Sequence, residues 1–304
     1  MQHTLSDIER SRIRIALVED GGKGDVTTLA TVPEGAQGVG TFLAKADGVL
    51  AGLDMARHAF LLYEVQHGIS SPNFDFDELL CDGATLSKGD RIATIRADLH
   101  TLLAAERVAL NLLQRMSGIA TMTRAFVDAV RAPSENFPNG TNAVILDTRK
   151  TAPLLRPFDR YAVRVGGATN HRYSLSEMIL VKDNHIAANG GDIPKVIERL
   201  KEYFADPKNE RVPVEIEVTD LDQLAEVLEN GVGIVNRVLI DNFEVPLMRD
   251  AVILNNGMFE TEASGGVNLK TVRAIAETGV DFISVGALTH SVMGLDISFE
   301  IEQN

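Results

Sequence analysis

Apolar residues change their spacing three times along this chain, and each change predicts a different kind of structure. Ser6 and Glu9 have capping-box spacing, and Ile8, Ile13, Ile15 and Leu17 follow as an amphipathic helix that Gly-Gly-Lys-Gly-Asp (21–25) breaks. Residues 36–98 are short, glycine-punctuated runs around an apolar helix near 54–65. The piece LCDGATLSKGDRIATIRAD alternates between turn residues as antiparallel strands do, which predicts a small α+β domain. From His100 to Arg131, Leu102, Leu103, Val108, Leu110, Leu112, Leu113, Met116 and Ile119 recur at helical spacing. This predicts a long bridging helical region with a break near Gly118.

After Asn142 come six short apolar runs: AVILD (143–147), MILVKD (178–183), VEIEV (214–218), RVLID (237–241), MFETEA (258–263) and DFISVG (281–286). Helical stretches lie near 192–205, 220–230, 245–255 and 268–278. Such alternation predicts a parallel sheet with helical crossovers, in six or seven units where a standard barrel has eight; a doubly wound open sheet is the rival. The loop RAPSENFPNGTN (131–142) carries no visible chemistry, and the alternating tail LDISFEI (295–301) is expected to add a strand to the first domain.

Composition narrows the classes. The 304 residues are 45% hydrophobic, enough for a full core in about two domains. Cys81 is the lone cysteine, so no disulfide framework can form within the chain; a cytoplasmic, reducing setting fits, with Cys81 expected to pack inside. The first twenty residues lack a secretory apolar core, and no run approaches the ~18 apolar residues of a membrane span. With 29 basic against 43 acidic residues the net charge is −14, which disfavours nucleic acid and anionic membranes as partners. Anionic ligands would require the scarce cations to be gathered in one place.

The strand ends suggest where. Asp147-Thr148-Arg149-Lys150, Lys182-Asp183, Glu217, Asp241-Asn242, Glu262 with Ser264, and Gly286 close successive strands, and barrels carry their sites at the C-terminal strand ends. Arg149, Lys150, His171, Arg172 and Lys182 fall at or near these ends, with Arg107 on the bridging helix. Arginine's planar fork matches carboxylate and phosphate oxygens. Lys182 ends an apolar run, so its stem is expected to be buried. Two glycine turns, Ser264-Gly265-Gly266 ahead of a helix and Gly286-Ala287 followed by His290, are of the kind that hold a phosphate on backbone N–H groups. Glu217 and Asp241 could accept bonds from ribose hydroxyls, hold Mg²⁺, or balance nearby lysines.

In these residues the chain resembles the quinolinate phosphoribosyltransferases, the carboxylating nicotinate-nucleotide pyrophosphorylases. The matching pieces are GKGDVTT (22–28), ERVALNLLQRMSGIAT (106–121), LDTRKTAP (146–153), YAVRVGGATNHR (161–172), ILVKDNH (179–185), VEIEV, LIDNF (239–243), EASGGV (262–267) and GVDFISVGALTHS (279–291), in family order over nearly the whole length. The resemblance implies an N-terminal α+β sandwich over 1–111, joined by the tail 293–304, and an incomplete α/β barrel over 112–292. It implies transfer of phosphoribose from phosphoribosyl pyrophosphate to quinolinate with loss of CO₂, giving nicotinate mononucleotide for NAD biosynthesis, with Mg²⁺. It implies a homodimer or larger assembly in which Arg107 reaches the partner's barrel. Arg107, Arg149, His171, Arg172 and Lys182 would surround the two carboxylates, with Thr148 beside them and Lys150 also reaching the donor. Glu217 and Asp241 would hold ribose hydroxyls or Mg²⁺. Ser264, Gly265, Gly266, Gly286 and Ala287 would cradle the 5′-phosphate near His290. Lys150, Lys182, Glu217 and Asp241 would be the groups nearest the chemistry.

The sequence departs from the family in a longer loop at 134–143 and in Ala263, where serine is frequent. Three rivals are a paralogue associated with molybdenum transport, a Schiff-base barrel aldolase using Lys182, and a non-catalytic anion-binding protein. The intact Asn170-His171-Arg172 and Lys182-Asp183-Asn184-His185 argue against the first.

Overall fold

The computed structural model describes residues 4–22, 24–69 and 74–303. The chain runs α1 (Asp7–Gly21), α2 (Val26–Thr31), β1 (Gln37–Ala44), β2 (Gly48–Val49), α3 (Leu53–Gln66), β3 (Asp75–Glu78), β4 (Thr85–Leu86), β5 (Arg91–Asp98) and α4 (Leu99–Arg131). It continues β6 (Val144–Leu146), α5 (Arg156–Val165), β7 (Ile179–Val181), α6 (Asp183–Ala187), α7 (Ile193–Ala205), β8 (Val214–Val218), α8 (Leu221–Asn230), β9 (Arg237–Asp241) and α9 (Val245–Asn255). Last come β10 (Glu260–Ser264), α10 (Val272–Ala276), β11 (Phe282–Ser284), α11 (Ala287–His290) and β12 (Ile297–Gln303). Packing divides it into two compact units. One comprises Met1–Arg124, Thr151–Gly167 and Leu288–Asn304; the other comprises Ala125–Lys150 and Ala168–Ala287.

In the first unit the capping box forms as its spacing predicts: the Glu9 N–H donates to Ser6 Oγ, and the Ser6 N–H donates back to Glu9. The antiparallel sheet has the order β12-β1-β5-β3, so the C-terminal strand does return to the first domain. Its core is aromatic. The ring of Phe42 lies 4.6 Å from that of Phe299 and 6.3 Å from that of Phe60. Gly40 leaves the space that Phe299 fills, since a Cβ there would stand 2.0 Å from the ring.

Two expectations fail here. The bridging helix does not break at Gly118; α4 runs unbroken for 33 residues. That glycine is a matter of close approach, not of helix ending, because a Cβ would meet the Met293 carbonyl oxygen at 2.0 Å. Cys81 is exposed, not packed, because it sits in the turn after β3, beyond the strand's alternating burial. The short helices α2, α5, α6 and α11 were not legible as periodic stretches.

In the second unit six strands form one parallel sheet in the order β6-β11-β10-β9-β8-β7. Strands β7 to β11 follow chain order and β11 then lies beside β6. A doubly wound sheet would instead reverse direction at a switch point, so the barrel reading holds and its rival fails. The barrel is incomplete, with β6 and β7 at its open edges. Thr169 extends it by a parallel bridge to Leu146, accepting from the Asp147 N–H and donating to the Ile145 carbonyl. All five residues of β8 are buried, although two are glutamates. Among the described residues no helix is long and apolar enough to cross a membrane.

Substituting Gly118→Ala should push the tail off α4 and lower stability by about 1–3 kcal/mol, read as a reduced urea midpoint with an unchanged slope.

Candidate active site

Side chains alternate across a strand, so Leu180 and Lys182, Glu215 and Glu217, Arg237, Leu239 and Asp241, and Glu260, Glu262 and Ser264 face one side of their sheet. Register stacks them in layers: Leu180 beside Glu215, Glu215 and Glu260 beside Arg237, and Glu217 and Glu262 beside Leu239. At the C-terminal end of this face opens a cavity of about 280 Å³. It is lined by Thr148, Arg149, Lys150, His171, Arg172, Leu180, Lys182, Leu239, Glu262, Ser264 and Ser284. Seven of the sequence-predicted residues thus meet in one place: Thr148, Arg149, Lys150, His171, Arg172, Lys182 and Ser264. Leu180 and Leu239 add an apolar wall.

The cations are crowded. Burial disfavours the charge of Arg172, and the neighbouring charge of Arg149 disfavours it further, so its pKa is lowered. One anchor of Arg172 is the bond from Nη1 to the Met178 carbonyl at 2.8 Å. Lys182 donates from Nζ to Glu217 at 3.0 Å, and its side chain is 48% exposed. The expectation of a buried stem therefore fails: Lys182 is the residue after β7, where the chain leaves the sheet for α6. Glu217 is buried, and Asp241 at the end of β9 accepts from Asn242 Nδ2 at 2.6 Å.

The loop bearing His171 and Arg172 is fixed from below by Asp147. This buried carboxylate accepts from the His171 N–H and from Asn170 Nδ2, both at 2.7 Å. The His171 ring is held at both nitrogens. Nε2 lies 3.0 Å from Glu215 and 3.4 Å from Glu262, while Nδ1 accepts from the Arg172 N–H at 2.7 Å. Burial opposes a charge on the ring, but hydrogen bonds to the two glutamates prevail and raise its pKa to about 9. The Arg172 N–H, by contrast, claims the Nδ1 lone pair. Nε2 carries a proton under either demand. Burial, aided by the charge of Glu262, pushes Glu215 up to about 7. Burial also works to neutralise Glu262, but His171 and Arg237 outweigh it and hold its carboxyl below the usual range.

His171, Glu215 and Glu262 lie close enough for their ligand atoms to share an ion. The protonated Nε2 leaves no lone pair there, so the trio suits a proton network and not a metal. Glu217, bound to cavity-lining Lys182, and Asp241, at the end of β9, are hard oxygen donors of the kind that suits Mg²⁺, but neither is among the residues lining the cavity.

The glycine turn after β10 is built for close backbone approach. Gly265 and Gly266 have φ of 96° and 60°, and a Cβ on Gly265 would meet Asn242 Oδ1 at 2.2 Å. The next helix begins only at Val272, six residues beyond Gly266, so the turn does not feed a helix directly as the sequence suggests. Glu262 lies inside β10, not at its end. Gly286 and Ala287 follow β11 at the start of α11. Arg107 and His290 belong to the other unit: Arg107 is 54% exposed beside Glu106, and His290 Nδ1 lies 2.7 Å from Ser291 Oγ.

Sequence reasoning missed Glu215, Arg237 and Ser284. The signal for the first was present, since VEIEV places two glutamates on one face of a fully buried strand. Asp147→Ala should strand the His171 N–H and Asn170 Nδ2 without their acceptor. We expect a loss of about 1–3 kcal/mol in chemical denaturation; an unchanged midpoint would refute the anchoring role.

The chain was compared with known proteins. Residues 25–117 match the quinolinate phosphoribosyl transferase N-terminal domain, and residues 119–300 match the C-terminal domain of the same family. A carboxylating nicotinate-nucleotide pyrophosphorylase of Arabidopsis thaliana, described as chloroplastic, is 43% identical over 99% of this chain and 84% of its own length. One from Mycobacterium leprae is 42% identical over 98% of this chain and 100% of its own. The crystal structure of NadC from Streptococcus pyogenes superposes with a TM-score of 0.87 at 34% identity, covering 100% of both chains. With both family domains matched in order and full-length relatives above 40% identity, this chain belongs to the quinolinate phosphoribosyltransferase family.

Proposed function

We propose that this enzyme transfers phosphoribose from phosphoribosyl pyrophosphate to the ring nitrogen of quinolinate and releases pyrophosphate and CO₂, giving nicotinate mononucleotide for NAD biosynthesis. The observation that carries this reading is the cavity that gathers Arg149, Lys150, Arg172 and Lys182 around an apolar wall of Leu180 and Leu239. A flat aromatic ring bearing two carboxylates matches both parts. Arginine forks suit the carboxylates, and the leucines suit the ring.

In the first step the pyridine nitrogen attacks the anomeric carbon as the bond to pyrophosphate breaks, and pyrophosphate leaves with the electron pair. Positive character builds on the ribose, as in glycoside cleavage. Glu217 and Asp241 would steady that charge and accept from ribose hydroxyls. The same two residues would hold Mg²⁺, which when bound would offset charge on the departing pyrophosphate. Lys150 would reach the donor, and Lys182 would leave Glu217 to meet an entering carboxylate. Thr148 completes this rim. Ser264, Gly265, Gly266, Gly286 and Ala287 would offer hydroxyl and backbone N–H groups for the 5′-phosphate. In the second step the bond between the ring and the carboxylate beside the nitrogen breaks and CO₂ leaves. The electron pair stays on the ring carbon next to the positive nitrogen until one proton takes its place. Holding two anions together against their repulsion is the protein's main contribution.

We assign the chemistry to the barrel domain, drawn at 112–292, and infer a homodimer in which Arg107 reaches the partner's cavity. Cys81, free and exposed, supports a reducing, cytoplasmic setting. A Schiff-base role for Lys182 fits poorly, because its amine is paired with a carboxylate and half exposed where that chemistry needs a desolvated amine.

The test is labelled-CO₂ release from carboxyl-labelled quinolinate with donor and Mg²⁺. We expect turnover in the parent and near-total loss in Arg149→Ala and Lys182→Ala. No release from the parent would end this reading, and full activity in both variants would end the site assignment.

A further inference from the structure

Beneath the cavity lies a charged network for which the reaction just described has no use. Arg237, at the start of β9, is its centre. Its Nη1 donates to Glu262 Oε2 at 2.9 Å, while Nε and Nη2 both reach Glu260 Oε2, at 3.2 and 2.9 Å. The guanidinium stacks on the ring of Phe282, 3.8 Å from its centroid, which fixes its plane. Glu262 is fully buried, and the same oxygen that Arg237 binds lies 3.4 Å from His171 Nε2. Glu215, also fully buried, pairs in register with Arg237 and holds His171 Nε2 at 3.0 Å. His171 in turn accepts from the Arg172 N–H. A chain of bonds therefore runs from Glu260, whose side chain is 54% exposed, through Arg237, Glu262 and His171 to an arginine of the cavity.

The arrangement is electrostatically unusual. Two buried carboxylates sit directly under a cavity that receives anions, and one of them, Glu262, lines it. Left uncompensated, their charge would repel the ligand that Arg149 and Arg172 attract. Burial alone disfavours both carboxylates, and removing one partner of a buried pair leaves the other charge exposed to this penalty. Arg237 is the guanidinium that meets this need.

We propose that Arg237 is a positioning residue for pyridine dicarboxylate binding, cancelling buried carboxylate charge under the cavity and, through Glu262, setting the ring of His171 and the backbone of Arg172. This rests on the quinolinate reading and deepens it. Arg237 touches no substrate; it acts through two intermediaries.

The experiment compares the parent with Arg237→Met and with Arg237→Met combined with Glu262→Gln. Quinolinate affinity is measured by calorimetry, KM is measured for both substrates, and nitrogen-15 shifts are recorded for the His171 ring. In Arg237→Met quinolinate should weaken by about tenfold or more. KM for phosphoribosyl pyrophosphate should move far less, and the His171 nitrogen signals should shift without any ligand present. The double variant, which removes the stranded charge with an isosteric amide, should recover most of the lost affinity. A merely structural role would lower the urea midpoint and weaken both substrates alike, whereas a positioning role is confined to quinolinate and to the His171 signals. If Arg237→Met does not fold, the double variant carries the test alone, and it should bind quinolinate close to the parent. Unchanged quinolinate affinity and ring signals in folded Arg237→Met, or a double variant as weak as the single, would overturn the proposal while the parent's activity stands. A parent that does not bind quinolinate would overturn the functional reading, and this proposal with it.

Discussion

Arg149 and Arg172 face one cavity, and the charge of Arg149 makes that of Arg172 harder to hold. That repulsion, joined by Lys150 and Lys182 at the same opening, is the constraint to which the rest of the barrel answers. Folding alone would separate these groups, since desolvating like charges side by side is costly. They are kept together by fixed anchors. Arg172 is tethered to the Met178 carbonyl, its loop is tied to buried Asp147 at two points, and Lys182 leans on Glu217. The cavity is thus strained in charge and firm in geometry, and it relaxes electrostatically when anions enter. Preorganised cations of this kind need not reorganise at the moment of reaction.

The barrel supplies the firmness. Parallel strands with alternating side chains bring Lys182, Glu217, Asp241 and Ser264 to one end of one face, though they are far apart in sequence. The same alternation carries Glu215, Arg237 and Glu262 into the layers beneath, so the electrostatics of the cavity are set partly from inside the barrel. His171 joins the two levels. Its ring is spent on the glutamates and on its own neighbour's N–H, so it shapes the arginine loop more than it offers a donor to a ligand.

Much of this was legible in the sequence, for definite reasons. The apolar runs of the barrel are short and bounded, so all six strands could be read, and the alternating tail declared the returning strand β12. Arg149, Lys150 and Lys182 could be grouped because they close apolar runs, and Arg172 because it lies near one of those strand ends. What stayed hidden depends on tertiary placement. Gly118 reads as a helix breaker, yet it makes room for the Met293 carbonyl. Cys81 and Lys182 border apolar segments, and sequence neighbours do not reveal that the chain turns outward at both. Glu215 was visible as an odd glutamate in an apolar strand, but its partner Arg237 has no signature, because only strand register places them side by side. Helix α5 follows Pro153 and carries Pro157 in its first turn, so its start reads as a turn.

The central claim is that crowded positive charge exists to hold two carboxylates at once. Calorimetric titration of the parent and Arg149→Ala with quinolinate and with nicotinate, its single-carboxylate counterpart, tests this most directly. The account predicts that the parent prefers quinolinate by about tenfold or more, and that the preference largely disappears in the variant. Equal affinity of the parent for both acids, or a preference untouched by the substitution, would contradict it.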